Sequence, residues 1–585
     1  MSSSKPLEAG AIIDAEPPSR QLEEEDIMGP FEPFPDDIFN LADIALRVAR
    51  EDPERIAVIE PHGRHRYRRY TYKKLSEDVE SVAPGLREMG VKEGTRIVCM
   101  APPSYETAVF GLALTRVGAL TIWIDPWVGY RRVAERLRRV HPEGFLGNFL
   151  SHIGRVIFGW GPRISGKFLV AGKPGFPGAR SIESLRRKPP SEPIPPAVTP
   201  DDPCVILYTT GTTGPAKPSL YKHRNFCQVF RNAHHSWRFW QDGGPPVDMA
   251  VFPAFMFISI SAGGTMVVPP INFARETPAK VNPRALVEVI TDCGVKSFFA
   301  APILLENLAR YAIKHGITLP SLKRVITGTA PVSGQVVRDL LKVMNPKGEV
   351  AINYGATEAL PSTEIEGREY LSDAWEKTEK GAGWCVGRPL PGVELKVIDI
   401  VEGPISSIDE AVELTRNKIG EILIRGKHVS PEYYLDEENT RKNKVPDKDG
   451  GAWHRLGDAG YLDSKGRLWV CGRISERVKT KDGPIFPLMC EPIFNAHPKV
   501  KRSALLGIAG PEGELPVLCV EVKPEHRRGD MDNLKTELQA LARDSGIKIR
   551  EILFKREMPV DPRHNSRIQR LELVRWASRR VGRGV

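Results

Sequence analysis

The chain has 585 residues, 41% hydrophobic and 27% charged, with a formal net charge of +10. It is too long for one ordinary domain, long enough to bury a large core, and balanced as a soluble globular protein is. No apolar run approaches the ~20 residues needed to span a bilayer, and the first residues lack the basic-then-apolar layout of a signal peptide. The eight cysteines are scattered without a CxxC pair, which argues against disulfides and zinc and for a reducing cytoplasm. Basic residues fall in short separate runs, 64–69, 131–139 and 575–583, and no nucleic-acid-binding motif accompanies them. The positive balance therefore reads as a solvated surface that also attracts anionic substrates or lipid headgroups.

Residues 1–36 are rich in Ser, Pro and Glu, with an acidic run at 23–26, and read as a disordered lead-in. Leu41, Ile44, Ala45, Val48 and Ala49 recur at helical spacing until Pro53 stops the pattern. A second amphipathic helix is expected over 71–89, closed by Gly90. A strand over 97–100, a helix over 105–117 and a strand over 120–124 follow, an alternation that argues for a parallel sheet covered by helices. Gly and Pro punctuate 145–200, where the apolar stretch 145–160 suits either an interfacial segment or core. Farther on, 255–260 and 266–268 are apolar enough for a hydrocarbon pocket or for plain core. In the last hundred residues the pattern predicts strands over 504–508 and 517–522 and a helix over 531–545.

Between these halves, the apolar run Cys204-Val205-Ile206-Leu207 reads as a buried strand that opens into Tyr208-Thr209-Thr210-Gly211-Thr212-Thr213-Gly214-Pro215-Ala216-Lys217. Glycines at 211 and 214 let backbone N–H groups approach phosphate oxygens, the threonines add hydroxyl donors, and Lys217 supplies a mobile charge. Two residues separate Gly214 from Lys217 and Pro218 follows, so this is not the Walker arrangement. A flexible Thr/Gly turn beside a core strand would look the same if it stood alone.

It does not stand alone, and the set of motifs resembles the acyl-adenylate-forming superfamily of acyl-CoA ligases, luciferases and peptide-synthetase adenylation domains. That resemblance implies that Thr209, Thr210, Gly211, Thr212, Thr213, Gly214 and Lys217 hold the phosphates of ATP. His223 stands where relatives carry a histidine after the loop, as a catalytic candidate or simply a helix cap. Phe252-Pro253-Ala254-Phe255 matches an aromatic stretch beside the acyl pocket, with Met256 in place of a histidine. Gly328-Thr329-Ala330-Pro331 resembles the turn that contacts adenine. In Asn353-Tyr354-Gly355-Ala356-Thr357-Glu358 the resemblance implies that Tyr354 stacks on adenine, Thr357 bonds the α-phosphate and Glu358, with Thr212, holds Mg²⁺. Oxygen ligands suit a hard dication bound together with phosphates. By the same resemblance Asp458 accepts both ribose hydroxyls and Arg473 contacts ribose or phosphate. Ser475 replaces the aspartate usual at the hinge between the two domains, and Arg567 replaces a catalytic lysine. The charge at Arg567 survives, but a planar fork is not a compact ammonium.

Further details, among them 159–161, 319–322, 355–361, 385–389, 490–495 and 560–565, are similar to the olefin β-lactone synthetase branch of the superfamily, from about residue 40 to the end. The expected fold is α/β: a disordered tail over 1–36, a large AMP-binding domain of parallel-rich sheets and helices over 37–473, and a small α+β lid over 474–585. The function the branch implies is ATP-dependent adenylation of a long-chain 2-alkyl-3-hydroxy fatty acid, then closure to a β-lactone with release of AMP and pyrophosphate. A long-chain fatty acyl-CoA ligase, which alone would need CoA, and a catalytically impaired nucleotide-binding homologue stay open beside it. The partners implied are a hydroxy or fatty acid and no nucleic acid. Weak association with membrane surfaces, and a complex with the thiolase, reductase and β-lactone decarboxylase of the same pathway, stay open too.

Overall fold

Short, nearly all-apolar strands alternating with helices are what a sheet buried on both faces requires. The computed structural model describes residues 39–124, 127, 130–160, 166–188, 198–209, 215–240, 244–560 and 567–581, and it forms two such sheets. The tail expected over 1–36 lies outside the described residues. Asn40 caps the helix Leu41–Glu51 and Thr71 caps Tyr72–Glu88, each accepting a first-turn N–H with its side chain. These helices pack with Tyr105–Arg116 over the first sheet.

That sheet has seven strands. Lys167–Val170, Gly144–Gly147, Arg96–Met100, Leu120–Trp123 and Pro203–Tyr208 run parallel in this spatial order. Pro218–Lys222 then returns antiparallel beside Pro203–Tyr208, and the two-residue strand Glu432–Tyr433 closes that edge from far along the chain. The sheet edge formed by Pro203–Tyr208 and Pro218–Lys222 is where the threonine- and glycine-rich loop emerges.

In the larger sheet, Ile56–Pro61, Thr265–Val267, Val247–Ala250, Ser297–Phe299, Arg324–Thr327 and Glu349–Ala356 are parallel neighbours. The helices Pro283–Cys293, Pro302–Lys314 and Gly334–Val343 provide crossovers between them. From Glu349–Ala356 onward pairing turns antiparallel, through Ala359–Glu366, Trp384–Pro389, Leu468–Arg473, Ala452–Leu462, Gly420–Arg425 and Glu394–Ile398.

After the hairpin of Val478–Thr480 and Gly483–Ile485, the strands Val500–Gly510, Gly513–Val522 and Glu551–Phe554 form a separate sheet. Helices Pro487–Asn495, Met531–Asp544 and Arg570–Val581 complete this small C-terminal domain, which has its own core around Leu505, Leu518, Leu534 and Leu538. The stretch 145–160 divides: its strand is buried, whereas the helix Phe149–Ile157 exposes much of one face.

Candidate active site

The two sheets and the C-terminal domain enclose a cavity of about 750 Å³. Its wall changes character along its length. One end is carbon, from Val229, Ala233 and Trp237 on the helix His223–Trp237, with Phe255, Ile258, Phe299 and Leu360 opposite. The other end is lined by Lys217, Glu358, Arg455, Arg473 and Arg567.

Backbone geometry carries several of these groups. The Thr209 hydroxyl accepts from the Lys217 N–H at 2.9 Å, and the Thr209 N–H donates to the Lys217 carbonyl at 3.1 Å. The two ends of the loop are thereby clasped, while Thr210, Gly211, Thr212, Thr213 and Gly214 lie outside the described residues. Glu358 sits at the turn between Glu349–Ala356 and Ala359–Glu366, held by the Ser430 N–H, which donates to its carbonyl at 2.8 Å. A Cβ on Gly355 would lie 2.3 Å from the Ala359 carbonyl oxygen, so the turn closes only with glycine there. At Gly328 a Cβ would lie 2.5 Å from the Asn353 carbonyl oxygen. Thr329, next to it, adopts φ 69° and turns its carbonyl into the cavity region, where the Arg567 Nε donates to it at 2.9 Å. A residue 238 positions away is thus brought to the Gly328–Thr329 turn. Arg570 reinforces the placement through Glu476 at 2.9 Å and Glu491 at 2.6 Å.

Buried charges at the polar end compensate one another. Tyr433 donates its hydroxyl to Glu358 Oε1, and its ring lies 4.8 Å from the Lys217 ammonium. Burial lowers the Lys217 pKa, against the pull of Glu358. Behind them Lys444, buried and donating to the Ser430 hydroxyl at 3.2 Å, is pushed by burial down to about 7. His454 lies 4.0 Å from Glu358 and is held neutral by burial and by the Lys444 charge. Arg455 grips Glu421 with both sides of its fork, at 3.0 and 2.6 Å. Tyr433, Lys444 and Glu421 carry no sequence signal: they stand in no recognisable motif, and only the fold brings them to Glu358 and Arg455.

Most of the motif residues meet here. Thr209, Lys217, Gly328, Thr329, Asn353, Tyr354, Gly355, Thr357, Glu358, Arg473 and Arg567 all line the cavity, and so does Ser475. Asn353 is braced by the Ser236 hydroxyl at 3.0 Å and by Glu364 at 3.1 Å. Ala330 and Pro331 continue the Gly328–Thr329 turn without lining the cavity. Asp458 stands behind the lining. One of its oxygens accepts from the Tyr354 hydroxyl at 2.7 Å and the other faces Arg473 Nε at 3.2 Å. It therefore orients Tyr354 and Arg473 in this structure.

His223 departs from expectation. It opens the helix His223–Trp237 without capping it and is buried, its ring edge-on to Phe39 at 6.3 Å. Burial pushes it down to about 4, and it is absent from the cavity wall, because that side of the helix faces the first sheet's core. Met256 is likewise fully buried, while its neighbour Phe255 reaches the apolar end.

The family model described as AMP-binding enzyme matches residues 46–434. Over 554 residues the chain is 34% identical to an olefin beta-lactone synthetase from Xanthomonas campestris pv. campestris, covering 92% of this chain and 97% of that protein. Similarity to the peroxisomal OPC-8:0-CoA ligase 1 of Arabidopsis thaliana is 24%, over 87% of this chain and 88% of the ligase. Among solved structures, the amide bond synthetase McbA from Marinactinospora thermotolerans superposes with a TM-score of 0.74 at 22% identity, covering 92% of this chain and 99% of that one.

Proposed function

This chain belongs to the AMP-binding enzyme family, an adenylate-forming ligase by that membership, and from that premise we propose that it adenylates a long-chain 3-hydroxy acid and closes it to a β-lactone. The observation that carries the reading is the cavity itself: a cation-rich end that runs without a break into an apolar end. A fatty acid laid along it has its chain among Ala233, Ile258 and Phe299 and its carboxylate at the charged end.

In the first half-reaction a carboxylate oxygen attacks the α-phosphorus of ATP, the P–O bond to pyrophosphate breaks, and pyrophosphate leaves. Lys217, Arg473 and Arg567 supply fixed positive charge for the developing negative charge on the phosphoryl oxygens. Tyr354 offers an aromatic face for adenine, held by Asp458. The site fits Mg²⁺ through the buried Glu358 carboxylate, an oxygen ligand already oriented by Tyr433, and we assign Thr212 as its companion. When bound, the ion shares charge with the phosphates.

In the second half-reaction the substrate's own 3-hydroxyl oxygen attacks the acyl carbon. A C–O bond forms, the acyl–phosphate bond breaks, AMP departs and the hydroxyl proton is lost. Tethering supplies high effective molarity, so no second substrate has to bind. Support for closure over thioester formation is the 34% identity to an olefin beta-lactone synthetase, against 24% to a CoA ligase. We place the boundary between the large domain and the lid at 473/474, beside Ser475.

The test is pyrophosphate release from ATP with a long-chain 3-hydroxy acid. Release that depends on both substrates and on Mg²⁺ is expected. Folded protein that releases none with any fatty or hydroxy acid would favour a nucleotide-binding role without catalysis.

A further inference from the structure

Of the nine large hydrophobic side chains exposed among the described residues, four crowd into one short stretch: Leu150, Val156, Ile157 and Phe158, at 55, 61, 68 and 46% exposure. They ride on the helix Phe149–Ile157 and the residue after it. Leu150, Ile153 and Ile157 are spaced to share one helical stripe, and that stripe faces outward.

The orientation is imposed from the inner face. Asn148 caps the helix by accepting from the Ser151 N–H at 2.9 Å, and the Ser151 hydroxyl donates to the Met100 carbonyl at 2.7 Å. His152 is fully buried, with Nε2 2.9 Å from the Leu169 carbonyl and its ring stacked 4.9 Å from Phe176. A Cβ on Gly154 would meet the Trp160 indole at 2.8 Å, so the helix rests directly on that ring. The helix cannot roll its apolar stripe inward without breaking these contacts. An amphipathic helix turned apolar-side out marks an interaction surface.

The surrounding charge identifies what it meets. Among the described residues from 144 to 188 there are seven Lys or Arg and a single acidic residue, Glu183; of the seven, Arg186 and Arg187 are paired with Asp78 and Glu88. Lys173 and Arg180 are exposed on the loop that carries Phe176, whose ring also lies 6.0 Å from Phe149. Arg155, from the same helix, sits over Phe168 at 3.9 Å with its Nε 3.4 Å from His152 Nδ1. Among the described residues no helix is long and apolar enough to cross a membrane. An exposed apolar stripe within a basic segment matches the interfacial layer of a bilayer, where acyl chains accept the stripe and anionic headgroups the cations.

We propose that the helix Phe149–Ile157 and the basic segment around it dock the protein on an anionic lipid surface. None of these residues lines the catalytic cavity, so docking is separable from chemistry. It brings the enzyme to where water-insoluble acids reside.

The test is flotation of the full-length protein with vesicles of phosphatidylcholine mixed with phosphatidylglycerol, against phosphatidylcholine alone. Wild type is expected to float with the anionic vesicles, with at least about tenfold weaker partitioning on neutral ones and at raised salt. L150S/I157S is expected to lose about tenfold or more on anionic vesicles, and K173E/R180E a comparable amount. Both should keep wild-type adenylation of a short, soluble acid. Phe158→Trp gives a direct reading of insertion, because brominated lipid should quench the new indole. Wild type that ignores anionic vesicles would overturn the proposal, as would a double variant that floats like wild type or an introduced indole left unquenched. So would a wild-type dimer that L150S/I157S converts to monomer, since the stripe would then belong to a second copy.

Discussion

The two ends of the cavity are built on opposite principles. At the charged end nearly every group is held by another: Tyr433 on Glu358, Arg473 on Asp458, Arg455 on Glu421, Arg567 on the Thr329 carbonyl. At the other end the side chains of Val229, Ala233, Phe255, Ile258 and Phe299 are carbon and meet the cavity through packing alone. Buried charges cost free energy unless partnered, so the charged end tolerates few residue types and fails abruptly when one is removed. Carbon against carbon tolerates many, and its failures scale with volume. The difference teaches that the chemistry should be brittle and the chain-length preference plastic.

The largest expected effect sits at the charged end. Glu358→Ala removes the oxygen donor proposed for Mg²⁺ and the charge facing Lys217 and Lys444, and should abolish pyrophosphate release in protein that still folds but melts at a lower temperature. Near-native turnover at limiting Mg²⁺ would move the metal elsewhere. Arg567→Ala should then cost ~10²–10³-fold in adenylation, the scale for losing one preorganised charge at a developing anion. Arg567→Lys should retain or improve the rate, because a charge survives. An Arg567→Ala enzyme as fast as wild type would show that another residue supplies it.

Acid should act on the apolar wall. His234 joins its two helices, with Nε2 3.0 Å from the Ile258 carbonyl and 2.9 Å from the Ser261 hydroxyl, and burial pushes it down to about 4. Its folded-state pKa lies below the unfolded value of 6.5, so the unfolded chain takes up the proton first. Stability is therefore full above pH 6.5 and is lost as pH falls towards 4, by up to ~3 kcal/mol for one such histidine. Asp248, raised by burial to about 6, opposes part of that slope. His234→Asn should flatten the loss of melting temperature between pH 6.5 and 4, and an unchanged slope would assign the loss to other groups. The smallest effect is graded. Ala233→Leu narrows the apolar end, and each methylene then denied burial costs ~0.8 kcal/mol, about fourfold in kcat/KM. Rates should fall stepwise with chain length and stay unchanged for short acids; a uniform drop would place Ala233 outside the acyl path.

The same asymmetry decides what could be read from sequence. Thr209, Lys217, Gly328, Tyr354, Glu358, Arg473 and Arg567 were legible as candidates because each stands in a recognisable motif, and the fold brings them to one cavity. The helices Leu41–Glu51 and Tyr72–Glu88 were legible from their apolar spacing and from Pro53 and Gly90 beyond their ends, whereas their caps at Asn40 and Thr71 come from the structure. The apolar end was legible only in part: the run 255–260 was readable as pocket or core, and Phe255 and Ile258 do line the cavity, whereas Val229 and Ala233 look like any buried helical face. His223 stayed open in the sequence because a histidine beside a glycine-rich loop and one in a core are the same letter, and the structure buries it. The stretch 145–160 was ambiguous for a related reason: apolar periodicity states that a helix has a carbon face, and only its neighbours decide whether that face points in or out. Tyr433 and Lys444 were silent because their partners are far away in the chain.

The central claim is closure of the lactone within the active site, and product analysis by mass spectrometry tests it most directly. The enzyme is incubated with ATP, Mg²⁺ and a long-chain 3-hydroxy acid, with and without CoA. The account predicts AMP and a product one water lighter than the acid, formed at the same rate in both reactions and with no CoA adduct. A dominant acyl-CoA product, appearing only when CoA is added, would contradict it and assign the chain to thioester formation.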